Sequence, residues 1–555
     1  MSSSGQPCQS FMIFNLPPPP SNSLPSAPEP SLCLDVIVSL FDLLPERSDV
    51  VALASTCKVM NCLGAKHILA SGVEIEDDDA LLSFCRFMLA DLERRGPHLR
   101  KLALSIETDV LDWDEWGSSG IDTPSNLEWE TGCDEGMDTD TDMDTVTDDM
   151  ETDCQEEEEG RTELSGARLL ARVLRGATRL EDLDIGSPEE LMQRGGEDLR
   201  GALVSLPALR RLRTATLGLG TLSVVRAMTA PLVEIDLDFR YYNLVTFADM
   251  FDVLQHPAFG PTLEKITVWH VSLGGRDLVW HQLKDKPRFP RVHTLAVRSI
   301  DDGIYLPALV HAFPHLRNLD LTDAQCRDGD IDVSAEHARN RTVALDNYWR
   351  NLKNLCGDTD ALYALGLMRR VPRVDVSDVR LTDEGVMRLR SIFPAALRIG
   401  HLALDFNAAP GDPAWTMMKT FEEKKYSFLD FLPSLRHLIL RISEEALLET
   451  PEEGPSDQES EPHPFTGESE KCQVLAHHAD LISERRPGVG FVSFEVADEE
   501  LGLPGTSHSF GRLRDACTGT VCWKALPPEG VKWYLATQGM QWHRRPAYAE
   551  WPATY

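Results

Sequence analysis

The densest arrangement of possible ligand groups in this chain of 555 residues is DTDTDMDTVTDDME, residues 138–151. Numbered from Asp140, the run places Asp142, Asp144 and Glu151 at the third, fifth and twelfth positions, the spacing with which a calcium loop surrounds its ion. The sixth position is Thr145, where the sharp turn of such a loop needs Gly, and no helical pattern flanks the run. A solvated acidic loop that attracts cations weakly and repels nucleic acid is the better reading. Other chemistries fare no better. GLGTLS, residues 218–223, does not make GxGxxG between a strand and a helix, and neither GxxxxGK[ST] nor HExxH occurs. His477 and His478 lack partners at metal-ligand spacing, and the closest cysteine pairs, Cys57/Cys62 and Cys517/Cys522, lack CxxC spacing. No nucleophile with its base stands out. The expectation is a non-catalytic chain without metal or cofactor.

Elements that could position a binding site emerge once the charge is located. The net charge is −35, but residues 102–160 hold 22 acids and residues 442–470 hold ten, neither with Lys or Arg, so these two stretches carry −32 of it. The rest has an ordinary mixed-charge surface. Both stretches are too polar to offset ordering entropy and are expected to be disordered inserts, at about 107–162 and 444–470. The second also resembles the Pro/Glu/Ser/Thr-rich segments associated with rapid turnover. No apolar run reaches the length of a bilayer span, and no Lys or Arg precedes Arg47 to mark a secretory leader, so the cytosol or nucleus is expected. In that setting the NRT sequon at Asn340 carries little meaning, and the twelve cysteines read as free thiols.

Outside the inserts one phrase recurs. LRKLAL begins at Leu99, LEDLDI at Leu180, LVEIDL at Leu232, LEKITV at Leu263, VHTLAV at Val292 and LRNLDL at Leu316. VPRVDV at Val371, IGHLAL at Ile399, LRHLIL at Leu435 and VGFVSF at Val489 continue it, with a defective LRRLRT at Leu209. Steps of 29, 23, 31, 29 and 24 residues from Leu180 to Leu316 suit one short strand and one return per unit. The two acidic stretches account for two of the longer steps, and the interval from Leu316 to Val371 hides a degenerate unit around NLKNLCGDTDALYALGL. Among the returns, Ser187, Pro188 and Glu190 read as a capping box, and TFADMFDVLQHP and LTDEGVMRLRSIFP as further helices. The pattern resembles leucine-rich repeats over most of residues 95–500. It departs in its uneven lengths and in the Asn after the last inward aliphatic, which appears once, at Asn407.

Residues 30–75 carry a second resemblance. EPSLCLDVIVSLF supplies Pro30, Leu34, Ile37 and Phe41, and SDVVALASTCKVM supplies Asp49, Val50, Val51, Leu53, Ala54, Cys57 and Lys58, in an order similar to an F-box. Glu29 stands where Leu is usual and Met60 where an aromatic is common. The resemblance implies a three-helix unit that docks the adaptor subunit of a cullin-RING ubiquitin ligase, with Pro30, Leu34, Ile37, Val50, Val51, Leu53, Cys57 and Met60 as the adaptor-binding residues.

The expected fold is α/β: a disordered Ser/Pro-rich N-terminus (1–29), an F-box-like helical domain (30–75), and an irregular leucine-rich-repeat solenoid (76–500) bearing two disordered acidic inserts. A Trp-rich tail (501–555) follows, which caps the last repeat or holds a peptide; capping is favoured because an array's open end exposes apolar surface. The expected function is substrate recognition within the ligase, the alternative being a repeat scaffold with no ligase link. Asp184, Asp236, Thr267, Ala296, Asp320, Asp375 and Ala403, outward between inward aliphatics, are the candidate face for an unidentified protein target. Four Asp among the seven hint at a basic target. Neither nucleic acid nor membrane is expected as a partner.

Overall fold

The structure, a computed structural model, describes residues 39–41, 43–44, 47–106, 164–240, 245–273, 288–300, 303–322, 332–342, 349–367, 371–380, 383–393, 399–406, 427–443, 468–497, 507–514 and 521–526. The chain divides into two compact units, Met1–Ile68 and Leu69–Tyr555.

In the first unit, residues 39–41 are helical and are followed by α1 (Arg47–Ala54) and by α2 (Lys58–Ser71), whose last three residues already belong to the second unit. The Ser55 and Thr56 hydroxyls turn back to the carbonyls of Ala52 and Leu53 at 2.7 and 2.8 Å, and α1 stops there. Gly64 makes the crossing of α1 and α2 possible, since a Cβ at this position would stand 2.4 Å from that of Ala54. Phe41, Val50 and Ala54 are buried in a small core, against which Leu44, Leu53, Met60, Leu63 and Ile68 pack. The Phe41 ring stacks on His67 at 5.2 Å.

The second unit is mixed α/β around a 15-stranded sheet. Its strands are β1 (Val73–Ile75), β2 (Lys101–Leu104), β3 (Asp182–Ile185), β4 (Arg211–Thr214) and β5 (Glu234–Asp238). Then come β7 (Lys265–Trp269), β9 (Thr294–Arg298), β10 (Asn318–Leu321), β11 (Asn354–Asp358), β12 (Arg373–Val379), β13 (His401–Phe406), β14 (His437–Ser443) and β15 (Phe491–Ala497). These thirteen pair in parallel in chain order, while β16 (Ser507–Arg514) and β17 (Val521–Leu526) extend the sheet antiparallel from β15. Two short strands, β6 (Val245–Thr246) and β8 (Val271–Ser272), pair with each other outside it.

Every recurring phrase becomes a strand that starts at its third residue. The reason is the alternation of side chains across a strand: in LRKLAL, Leu99, Leu102 and Leu104 are all buried on one side, and Lys101 and Ala103 face the other. The interval after Leu316 holds β11, in which Leu352 and Leu355 fill the first two inward positions. Gly357 fills the third, where a Cβ would press at 3.0 Å on Leu321 and Leu362.

Helices supply the returns: α3 (Asp78–Leu89), α4 (Leu92–Arg95), α5 (Leu164–Gly176), α6 (Pro188–Val204), α7 (Leu219–Ala227) and α8 (Phe247–Leu254). They continue as α9 (Leu306–Ala312), α10 (Val333–Thr342), α11 (Thr359–Leu365), α12 (Asp383–Ile392) and α13 (Glu468–Arg485). Successive helices from α5 to α8 and from α10 to α12 neighbour one another, and their apolar faces join the inward strand residues in one continuous core. Asp77 caps α3, accepting from the Ala80 amide at 2.6 Å.

The capping box expected at the start of α6 does not form. Pro188 does open the helix, but Ser187 makes no capping bond, and Glu190 is drawn along the helix face to Arg194, which also holds Asp78 at 2.8 Å. The second acidic stretch is shorter than expected, because Glu468–Glu470 already belong to α13. Residues 1–29, the calcium-like run, Asn407 and Trp533, Trp542 and Trp551 lie outside the described residues. Among the described residues no helix is long and apolar enough to cross a membrane.

Candidate protein-binding surfaces

Of the residues expected at the adaptor surface, Pro30, Leu34 and Ile37 lie outside the described residues. Val50 is buried, and Leu53 and Met60 lean on the same small core, so these three build the first unit from within. Val51 is half-buried and Cys57 exposed. Among the described residues of the unit, the exposed large hydrophobic side chains are Leu40, Leu43 and Val59, the last two 75% and 53% exposed. Sequence reasoning missed them because each sits one position away from an inward residue, Phe41, Leu44 and Met60.

In the second unit the seven residues expected on the target face fall on a single row across the sheet. Asp184 pairs in register with Arg213, Arg213 with Asp236, Asp236 with Thr267, Thr267 with Ala296, and Ala296 with Asp320. Cys356 links Asp320 to Asp375, which pairs with Ala403, and the row continues through Ile439 and Ser493. Thr267, Ala296, Asp375 and Ala403 are buried along it, so the row is partly filled by its neighbours. Arg213 was legible at the same position of LRRLRT. That phrase counts as defective only because Thr214 replaces the third aliphatic; Thr214 is nonetheless buried, its hydroxyl 3.5 Å from the Asp236 carbonyl.

Each Asp of the row already has a partner within the sheet. Arg213 lies 3.8 Å from Asp184, Trp269 Nε1 donates to Asp236 at 3.1 Å, Arg298 lies 3.7 Å from Asp320, and Arg441 donates to Asp375 at 2.9 Å. Arg298 also covers the Trp269 ring at 4.7 Å. Arg441 reaches Asp375 across β13, where the small Ala403 leaves room, while its Nε holds Glu495 at 2.8 Å. Burial pushes the Asp184 carboxyl up and takes Asp236 to about 6 despite its Trp269 hydrogen bond and the nearby cations. At the far ends of the strands, His270 and Ser299 have left-handed backbone, with φ of 55° and 53°, and His270 Nδ1 lies 2.8 Å from Asp238 Oδ1.

A different row runs along the N-terminal ends of the later strands. Asn318, Asn354, Arg373, His401, His437 and Phe491 are in register, and Asn354 Nδ2 donates to Asn318 Oδ1 at 2.6 Å. His401 is buried with neither ring nitrogen hydrogen-bonded, 6.1 Å from the His437 ring. Burial first, then the charges of Arg373, His437 and Arg441, lower the His401 imidazole to about 3; burial takes His437 to about 4. The preceding row, tied by backbone hydrogen bonds, contains Arg317, Lys353, Pro372, Gly400 and Arg436.

The glycine motif at 218–223 has a structural explanation. The Glu189 carboxylate from α6 accepts from the Gly220 and Thr221 amides at 2.9 and 3.0 Å and from the Thr221 hydroxyl at 2.9 Å. The start of α7 thus already holds an anion, and a Cβ on Gly218 would fall 2.2 Å from the Glu189 carboxyl carbon. The Asn340 sequon is closed too. Its amide is buried and donates to the Ile304 and Ala364 carbonyls at 2.6 and 2.8 Å. Cys85 is an inert buried thiol, pushed up to about 12 by desolvation. Among the described residues no group of three or more His, Cys, Asp or Glu side chains is placed to hold a metal ion. No protein-family model matches the chain, and no curated protein matches it at a significant level.

Proposed function

We propose that the chain is a substrate-recognition subunit of a cullin-RING ubiquitin ligase. An F-box-like first unit docks the adaptor, and a leucine-rich-repeat solenoid presents a protein target. Its role is positioning, with ubiquitin transfer performed by other subunits, and the cytosol or nucleus is where such a complex would work. The observation that carries the docking half is the division of apolar side chains in the first unit: Phe41, Val50 and Ala54 close its interior, yet Leu40, Leu43 and Val59 remain on its surface. Exposed aliphatics on a separate compact unit are the kind of surface that a partner covers. One strand per recurring phrase, paired in parallel and in chain order, supports the solenoid half.

Co-purification of the intact chain with the adaptor tests the reading. Leu43→Asp and Val59→Asp, at exposed positions that leave the small core intact, are expected to weaken retention at least about tenfold, equivalent to roughly 1.4 kcal/mol. Retention that fails in the parent chain, or that is unchanged in the double variant, defeats it. Failure in the parent would leave the rival reading, a non-catalytic repeat scaffold with no ligase link.

A further inference from the structure

The cations of the sheet face are not all engaged. Over β3–β7 Arg211 pairs with Asp182 at 3.0 Å and Lys265 with Glu234 at 2.5 Å, and the exposed Arg210 stands in a row that holds Glu181 and Glu264. From β10 to β14 the pattern changes. Arg317, Lys353 and Arg436 are exposed and Arg373 is half-buried at the N-terminal ends of β10, β11, β14 and β12. Among the described residues no carboxylate pairs with any of the four, and the two rows to which they belong contain no Asp or Glu from β10 to β15. Four cations that no described carboxylate pairs, along one edge, are unusual in a chain of net charge −35. Such a local field concentrates opposite charge even where the molecule as a whole repels it.

We infer that this edge, Arg317–Lys353–Arg373–Arg436, binds an acidic segment of the protein target. The inference rests on reading the sheet as the target-presenting surface, and it reverses the sign of partner suggested by the Asp residues in the sequence. The dimensions fit an extended peptide. Four strand spacings of about 4.8 Å separate Arg317 from Arg436, or about 19 Å, which roughly six extended residues span. Adjacent cations on β10, β11 and β12 allow carboxylates on successive same-side residues to be met in turn, and the Asn318 and Asn354 side chains lie beside them, each amide already giving one bond, to Thr294 and to Asn318. A protein segment suits the edge better than single-stranded nucleic acid. The rings in the adjoining row, His401, His437 and Phe491, are buried and offer no platform on which bases could stack.

The test uses the intact chain and a fluorescein-labelled Glu/Ser peptide of about ten residues, read by fluorescence anisotropy at low salt. Binding is expected, with a loss of at least tenfold in Arg317→Glu/Lys353→Glu and near-complete loss in about 0.5 M salt. A Gln/Ser peptide should not bind, and Arg226→Glu on α7 should change nothing. Unaltered binding in the double variant overturns the inference. So does no binding by the parent chain, or tighter binding of a single-stranded RNA of matched charge. Adaptor retention is a separate readout. Peptide binding without retention would sink the ligase reading alone, and retention without peptide binding would sink this inference alone.

Discussion

Replacing His401 with Phe is expected to make the fold less sensitive to acid. The imidazole is 8% exposed, lacks a hydrogen-bond partner on either nitrogen, and is faced by Arg373 from β12 and by His437 and Arg441 from β14. It stays neutral in the folded chain down to about pH 3, whereas in the unfolded chain it titrates near its ordinary 6.5. Below 6.5 the unfolded state therefore binds a proton that the folded state refuses. Stability contributed by the neutral ring is present above that pH and is lost as pH falls toward 3. Between pH 7 and pH 5 the loss is about 2 kcal/mol, and across the whole window roughly 5 kcal/mol. Asp236 works in the opposite direction. Its carboxyl is raised from 3.8 to about 6, so its contribution is present at low pH and fades as pH rises through 6. The two partly cancel in the parent, and only the difference between parent and variant isolates the imidazole. Urea unfolding followed by tryptophan fluorescence at pH 7 and pH 5 measures it, with the buried Trp349 as one reporter. The variant should be at least as stable as the parent at pH 7, because no unpaired ring nitrogen remains. It should gain about 2 kcal/mol on the parent at pH 5. A gap that is the same at both pH values refutes the reasoning.

Arg441→Met should cost about 3 kcal/mol by stranding the buried Asp375, and Asp375→Ala in the same chain should restore much of that; additive losses in the double-mutant cycle would show no coupling. Gly218→Ala should destabilise by roughly 1–3 kcal/mol in a thermal melt by pushing Glu189 off the start of α7, while Glu189→Gln should cost about 1 kcal/mol. Equal stability of the parent and Gly218→Ala would rule out the close approach. Gly64→Val should separate α1 from α2 and abolish adaptor retention without altering anisotropy of the acidic peptide; loss of both signals would show that the two units do not fold independently.

The strands were legible because the same requirement is met many times. Each LxxLxL phrase must bury its three aliphatics on one side, and a period of two allows no other assignment once the polar residues between them face outward. Even the hidden unit at Leu352 kept two of its three inward positions, and Gly357 replaced the third for a reason of space that only packing reveals. What escaped was local and competitive. Ser187 and Glu190 carry the types and spacing of a capping box, but Arg194 offers Glu190 a charged partner one turn away, which a backbone amide does not outbid. Likewise Val50 and Val51 look equivalent in SDVVALAS, and only the crossing of α1 against Gly64 decides that Val50 turns inward.

Charge along the aspartate row follows a different rule. Position within the repeat was enough to place Asp184, Asp236, Asp320 and Asp375 on one row, yet it could not say whether their charges were available. That depends on partners from other strands: Arg213 and Arg298 come from neighbouring repeats, and Arg441 arrives from two strands away over Ala403. Counting outward residues of one type therefore overstates the field they project, because parallel register sets opposite charges side by side about 5 Å apart. The charges that remain to meet a partner are those whose row contains no counterion. By that criterion the informative residues are not the recurring Asp of the phrase but Arg317, Lys353, Arg373 and Arg436, scattered through four different phrases and brought onto one edge by register.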